Sequence, residues 1–414
     1  MCIMAAEPQS ASVLPFAEAR HVVESHARKL LSAGSPSIDR VPLLQAQGSV
    51  LAEPLVADRD FPPFPRAARD GYAVRAADLD SVPVKLNVVG EIKAGSSLGL
   101  AIEPGQAASI MTGASAPPGA DAVVMVEYTS RAGDEVTISR SVRAGDNIVP
   151  QGSEAQHGST LLEVGRRLDF AAIALAASVG KDALQVYRKP QIAILATGDE
   201  IVPLSASPGP AQIRNSNTYS LAAQVREAGG EPVLLPIAPD DPDRLRALIQ
   251  QGLQADLLLL AGGVSMGKYD YVEQVLGDLA AEFFFTGALI QPGRPIVFGR
   301  VLGKYLFGLP GNPVSTMVTF ALFVRPVLDA LSGAPPTPLR FLAVRLKSDV
   351  KTKTGLTRFL PASLSGEFEH CTVELSKWQG SGDIAALARA NCYLVVPPDR
   401  ERVPAGEMVS VLMR

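Results

Sequence analysis

Between residues 190 and 331 the apolar positions fall into short continuous runs, each followed by a glycine-rich turn and then an amphipathic stretch. Runs 191–196, 232–237, 256–261, 295–300 and 305–308 read as strands, and 218–228, 243–251 and 314–331 as helices. Gly229-Gly230 supplies a C-terminal cap for the first helix. In Asp240-Asp241-Pro242 an N-cap aspartate and a proline at the first helical position open the second. This alternation predicts an α/β domain built on a parallel, doubly wound sheet. Upstream, 16–31 is one amphipathic helix with Ala19, Val22, Val23, His26, Ala27 and Leu30 on one face, and Phe61-Pro62-Pro63-Phe64-Pro65 is too proline-rich for a regular element. From 84 to 149 the pattern shortens to β-like runs (84–89, 107–111, 122–127 and 136–139) divided by turn clusters, which predicts a small β domain. Beyond a linker at 333–338, runs 341–346, 373–375, 393–396 and 409–412 predict a small terminal β-barrel.

Composition narrows the function without naming it. The 414 residues exceed one typical core. A net charge of −4 gives no reason to expect nucleic acid, so an anionic ligand needs a local site. Cys2, Cys371 and Cys392 are too few and too scattered for a disulfide framework or a zinc pattern, which suits a reducing cytosol. No secretory signal is visible. The most apolar helix candidate, 170–179, is about half of what a membrane span needs. A cytoplasmic protein with no membrane partner is expected.

Open parallel sheets bind ligands beyond the carboxyl ends of their strands, and three motifs fall there. Thr197-Gly198-Asp199-Glu200 ends the first strand. Gly262-Gly263-Val264-Ser265-Met266-Gly267 ends the third, where successive N–H groups can form an anion nest and Ser265 adds a hydroxyl. Pro310-Gly311-Asn312-Pro313-Val314-Ser315 precedes the long helix, whose N-terminus favours a phosphate or oxyanion. Any one turn serves an ordinary strand–helix connection as readily; three in one domain point to a phosphorylated, anionic ligand. Glu200, Asp240 and Asp270 accompany them, hard ligands that with phosphate oxygens suit Mg²⁺, although Asp240 and Asp270 also suit helix capping. The familiar nucleotide-binding loops are absent, and few histidines leave no nucleophilic triad. Positioning and charge neutralisation remain, which fits phosphoryl or oxyanion transfer.

Taken with Asp70-Gly71-Tyr72-Ala73-Val74, Ile110-Met111-Thr112-Gly113-Ala114, Pro292-Gly293-x-Pro295, Asp270-Tyr271 and Gln379-Gly380-Ser381, these motifs carry a specific likeness. The chain closely resembles the molybdopterin molybdotransferases, the MoeA / gephyrin E-domain family, from about residue 10 to 414. The resemblance implies an N-terminal helix (10–34) packed on the central domain, a linking domain (35–60 with 150–187), the small β domain (61–149), a MogA/MoaB-like α/β domain (188–332) and the C-terminal barrel (336–414). It implies a homodimer with its active site between subunits, and a molybdopterin-adenylylating enzyme as possible partner. The implied reaction converts adenylylated molybdopterin and molybdate to molybdenum cofactor and AMP, assisted by Mg²⁺ or another divalent cation. Asp70, Glu200, Asp240 and Asp270 take the places of the family's functional acids, with Glu200, Asp240 and Asp270 the metal candidates. Thr112, Thr197, Gly198, Gly262, Gly263, Ser265, Arg294, Pro310, Gly311, Asn312, Pro313, Ser315 and Ser381 are the ligand-binding candidates, Asp70 and Thr112 reaching the cleft from the other subunit. A pterin adenylyltransferase and a non-catalytic scaffold are the competing readings.

The chain departs from the family pattern in four places. Arg66-Ala67-Ala68-Arg69 stands where Asn-Ser-Ala-Met is usual. Val149-Pro150-Gln151-Gly152-Ser153-Glu154 replaces a basic segment, and Gln291 and Pro361 occupy positions that are usually basic. Arg66 and Arg69 would either offset the lost cations or pair with surface carboxylates.

Overall fold

The computed structural model describes residues 12–34, 36–95, 99–263 and 271–414. Its centre is a six-stranded sheet in the order Glu231–Leu234, Gln191–Ala196, Leu257–Ala261, Lys304–Leu309, Val297–Val301, Glu282–Phe285. Along the inner strands the side chains alternate between two apolar layers. Ile192, Ile194, Leu257, Leu259 and Phe307 join one core, with helices Asn217–Glu227 and Phe16–Ala33. Ala193, Leu195, Leu258, Leu260 and Leu306 join the other, with helices Pro242–Gly252 and Tyr271–Asp278. Burial on both faces is why these strands read as unbroken apolar runs.

The sheet is not wholly parallel. Val297–Val301 runs antiparallel to both of its neighbours. Only Leu302 and Gly303 separate it from Lys304–Leu309, both with positive φ (49° and 79°). A two-residue turn of that kind builds a hairpin, whereas a parallel pair needs a long crossover.

The predicted helix 314–331 is also interrupted. Pro313–Thr319 and Arg325–Leu331 are α-helical, and Phe320–Val324 between them is a π-helix. Pro326 has no N–H for the Leu322 carbonyl four residues earlier. Arg20 of the N-terminal helix donates Nη1 to that carbonyl, while its Nε meets Glu24 at 2.7 Å. The stretch Pro313–Leu331 is apolar and long enough to cross a membrane, which 170–179 is not, but 78% of its most apolar 18-residue window is buried inside the protein. Its apolarity fills the core. At its end Asp329, fully buried, holds Arg325 and, from the linking domain, Arg167, each at 3.1 Å.

In the linking domain Ile38–Pro42 pairs with Ala183–Tyr187 over a core that includes helix Phe170–Ser178. The small β domain is a six-stranded sheet whose buried strand Gly71–Val74 lies between Gln106–Ile110 and Ala122–Met125. The C-terminal domain is the expected barrel. Five strands close on themselves: Thr357–Ser365, Thr372–Leu375, Phe341–Leu346, Met408–Met413 and Cys392–Val396, the last pairing back to the first. Thr357–Ser365 is absent from the sequence reading because Pro361 sits at its middle, and proline speaks against a strand interior.

Candidate active site

The central domain and the barrel are joined by backbone bonds as well as by packing. Ile290–Gln291 pairs in parallel with the start of Thr357–Ser365, placing Gln291 opposite Arg358. The Val314 amide donates to the Ser381 carbonyl at 3.0 Å. Trp378, the sole tryptophan, packs against the cores of both domains. Between these ties lies a cleft of about 780 Å³.

Of the predicted site residues, the acid Glu200 and the ligand-binding candidates Thr197, Gly262, Arg294, Pro310, Gly311, Asn312, Ser315 and Ser381 line this cleft. The turns converge because the strands that carry them are neighbours: Gln191–Ala196, Leu257–Ala261 and Lys304–Leu309 end side by side. Gly263, at φ +64°, lies so close to Thr197 that a Cβ would come within 2.5 Å of its Oγ1. A side chain there would push the two turns apart.

Other candidates lie elsewhere. Gly198 lines a neighbouring cavity of about 510 Å³ together with Asp199. Gly263 and Pro313 flank the lining in sequence. Asp240 is exposed, and its amide donates to Asp199 Oδ1 at 3.1 Å. The helix cap beside it is Asp241, which accepts from the Arg244 amide at 2.8 Å, so Asp240 is left without that role. Asp70 and Thr112 belong to the small β domain, where the Thr112 amide donates to Asp70 Oδ1 at 2.7 Å. That bond, with a further one from the Thr112 side chain, holds the Asp70 carboxyl below its ordinary range. Ser265 and Asp270 lie outside the described residues.

Residues 264–267 of the expected anion nest lie outside the described residues. The amide of Val314 at the helix start is occupied by Ser381, and that of Gly262 by the Leu309 carbonyl at 3.1 Å. Side chains add positive charge to the cleft. Arg294, Lys353 and Arg358 line the cleft against one carboxylate, Glu200, and none of the three is ion-paired among the described residues. Lys353, Arg358, Trp378 and Asn217 were missed by sequence reading. Asn217 donates Nδ2 to the Gly311 carbonyl at 2.7 Å. Its Oδ1 and the Thr197 Oγ1 are buried with no partner among the described residues. Buried polar atoms on a cleft wall without protein partners are the places a ligand satisfies.

Arg66 resolves as the surface pair: its Nη2 meets Glu154 at 2.6 Å, both side chains about half exposed. Two departures from the family pattern therefore pair with each other. Arg69 is exposed and has no ion pair among the described residues. No three His, Cys, Asp or Glu side chains gather into a metal cluster among the described residues.

A three-layer α/β domain docked on a closed barrel, with Arg294, Lys353 and Arg358 lining the cleft at its strand ends, defines the class: a multidomain α/β plus β protein. Three family models match in order: the MoeA N-terminal region (domain I and II) over residues 14–180, the probable molybdopterin binding domain over 193–330, and the MoeA C-terminal region (domain IV) over 343–413. The chain belongs to the MoeA family of molybdopterin molybdenumtransferases. It is 38% identical over 385 residues to the molybdopterin molybdenumtransferase of Nostoc sp., covering 90% of this chain and 88% of that one. With the Bacillus subtilis enzyme of that name it shares 35% over 376 residues, covering 88% and 86%. Among solved structures it is similar to two of the molybdopterin biosynthesis MoeA protein from Pyrococcus horikoshii. One has a TM-score of 0.70 at 34% identity, covering 97% of this chain and 99% of that one. The other has 0.76 at 29%, covering 97% and 100%.

Proposed function

We propose that this protein inserts molybdenum in molybdenum cofactor biosynthesis, converting adenylylated molybdopterin and molybdate to molybdenum cofactor and AMP. The observation that carries the reading is the cleft itself, lined by Arg294, Lys353 and Arg358, none ion-paired among the described residues, together with Thr197, Asn217 and Trp378. Cleaving a phosphoanhydride beside an incoming molybdate stacks negative charge, and Arg294, Lys353 and Arg358 offset it at fixed positions. Trp378 offers an aromatic surface for a flat pterin, and the buried Thr197 Oγ1 and Asn217 Oδ1, which have no partner among the described residues, leave acceptor capacity on the cleft wall. Incubating the protein with adenylylated molybdopterin and following AMP tests this. Molybdate-dependent AMP release is expected. ATP consumption with plain molybdopterin would instead favour an adenylyltransferase, and silence in both assays a scaffold.

Three further parts belong to the proposal. The working unit is a homodimer, because Asp70 and Thr112 lie off the cleft lining of their own chain and need a partner's cleft to act on. A divalent cation held by Glu200, Asp240 and Asp270 assists by neutralising charge. Of these three acids, Glu200 lines the cleft and Asp240 is exposed beside Asp199, while Asp270 lies outside the described residues. Asp240→Asn should raise the magnesium concentration needed for half-maximal AMP release, and an unchanged requirement would remove Asp240 from the set. The activity belongs in the cytoplasm, in keeping with the free thiols of Cys371 and Cys392.

A further inference from the structure

Asp329 is the only buried carboxylate among the described residues, and three segments of the chain converge on it. Arg325, one helical turn earlier, meets its Oδ1 at 3.1 Å, as does Arg167 from the linking domain. The amide of Thr337, in the segment leading to the barrel, donates to Oδ2 at 2.9 Å. Arg167 is anchored in its own domain as well, since Nη1 donates to the Gly48 carbonyl at 2.8 Å. Glycine clears its passage: a Cβ on Gly229, in the turn that ends helix Asn217–Glu227, would collide with the guanidinium. An ion pair taken out of water returns little net stability, and its best-attested use is to select one arrangement over others. The arrangement selected here is the angle between two domains. The chain passes between the central and linking domains near Ser37 and near Arg188. These crossings lie side by side, because Ile38 pairs with Tyr187 and the Arg188 amide donates to the Ser37 carbonyl at 2.8 Å. Arg188 Nη2 fastens them to both oxygens of Asp256, at 3.0 and 3.2 Å. A joint made only there could turn about itself. The Arg167–Asp329 tie and the packing of the Tyr187 ring against Gly333, where a Cβ would not fit, add two further points. Three points fix an orientation that one would leave free.

We propose that Arg167 is a positioning residue for the reaction: through Asp329 it holds the linking domain, and with it Asp70 and Thr112, at the angle a partner's cleft requires. The proposal rests on the proposed function for the dimer and for the part Asp70 plays. The small β domain is carried on the linking domain by two antiparallel segments. Between them the Phe61 amide donates to the Ala155 carbonyl at 2.7 Å and the Glu154 amide to the Phe61 carbonyl at 2.9 Å. Asp60 adds two bonds, accepting from the His157 amide at 2.9 Å and from Gln151 Nε2 at 3.0 Å. A stem braced in this way passes the angle of the linking domain on to Asp70. Displacing a reacting group by about 1 Å costs up to roughly 10²-fold in rate, even when the cause is remote.

AMP release from adenylylated molybdopterin and molybdate tests the proposal in the full-length parent, Arg167→Met, Asp70→Asn and the double variant. Arg167→Met should lower kcat about tenfold or more, with KM for molybdate changed by less than about twofold, because the cleft belongs to the other two domains. In the Asp70→Asn background the same substitution should cost about twofold or less, since a residue acting through Asp70 then has little left to position. An arginine that only stabilised the fold would lower the rate by the same factor in both backgrounds. Losses that multiply in that way, or a parent-like kcat in Arg167→Met, overturn the proposal. Should Arg167→Met not fold, Arg167→Lys takes its place. It keeps the charge but gives up the planar fork that reaches Gly48 and Asp329 together, so a smaller loss is expected, again confined to the background with Asp70 intact. A loss that persists in Asp70→Asn overturns the proposal there too. If the parent releases no AMP, the proposed function fails and small-angle X-ray scattering decides the interdomain tie alone. The profile of Arg167→Met should then depart from that of the parent, and superimposable profiles would remove the tie.

Discussion

The carboxylate of Asp70 accepts a 2.7 Å hydrogen bond from the backbone amide of Thr112, across the antiparallel pair that sets Gly71 opposite Ile110. Each residue lies just beyond the paired segment, so strand register, more than loop conformation, brings them together. Both are exposed, and the bond keeps Asp70 ionised below the ordinary carboxylate range. Asp70→Asn keeps an acceptor oxygen and removes the charge. Its melting temperature should match the parent while AMP release falls by about 10²-fold. Thr112→Ala keeps the amide and loses the hydroxyl, so the acid limb of the pH–rate profile should move upward. A limb that stays put would dissociate Asp70 from the pH dependence.

If Asp70 serves the cleft of a partner, two inactive variants should complement each other. Asp70→Asn damages the β domain and Glu200→Gln the cleft. In a mixed dimer one site carries both lesions and the other carries neither. Equal, fully exchanged mixtures should recover up to about a quarter of the parent rate, since half the dimers are mixed and each has one intact site. Recovery no greater than the sum of the two variants would place Asp70 and Glu200 in the same subunit's site.

How much of this was legible depended on whether the cause was local. The strands 191–196 and 257–261 declared themselves because burial on both faces demands unbroken apolar runs. The turn motifs and the acid positions were legible as short patterns. Arg358 was not, because its role arises where a barrel strand meets residues 290–291 of another domain, and no local pattern encodes that meeting. Pro361 concealed the strand itself, and Pro326 gave no hint that an arginine from residue 20 would satisfy the carbonyl it leaves open. The antiparallel hairpin at 302–303 was hidden by a leucine where Asn or Gly would have signalled the turn.

The N-terminal helix is fastened to the central sheet by His26, which stacks on Phe284 with ring centroids 3.9 Å apart and shares a 3.0 Å hydrogen bond between its Nδ1 and Tyr305 Oη. Burial depresses its pKa, and the nearby Lys29 and Arg300 add to the effect while Glu282 opposes it. A depressed folded-state pKa means that the unfolded chain binds the proton more readily. The stabilisation is therefore complete above the unfolded value of about 6.5 and is lost as pH falls through the folded value. Denaturant midpoints should decline between pH 7 and 5, and His26→Gln should flatten part of that slope. An identical slope in the variant would show that other groups carry it.

Leu302 invites the opposite kind of change. It is 70% exposed at the tip of the hairpin, with φ at +49°, ahead of Gly303 at +79°. A left-handed backbone brings Cβ against the following carbonyl, and leucine has no side-chain polar group to compensate. Exposure at the tip also leaves it little apolar burial to lose. Asparagine tolerates positive φ and, followed by glycine, is the preferred pair for a two-residue hairpin turn. Leu302→Asn should therefore stabilise the protein by about 1 kcal/mol, read as a higher urea midpoint at an unchanged slope. AMP release should stay at the parent rate, because the turn is not on the cleft lining. Destabilisation by Leu302→Asn would mean that the leucine makes a contact the isolated chain does not show, and the same substitution followed at several protein concentrations would reveal whether a second subunit supplies it.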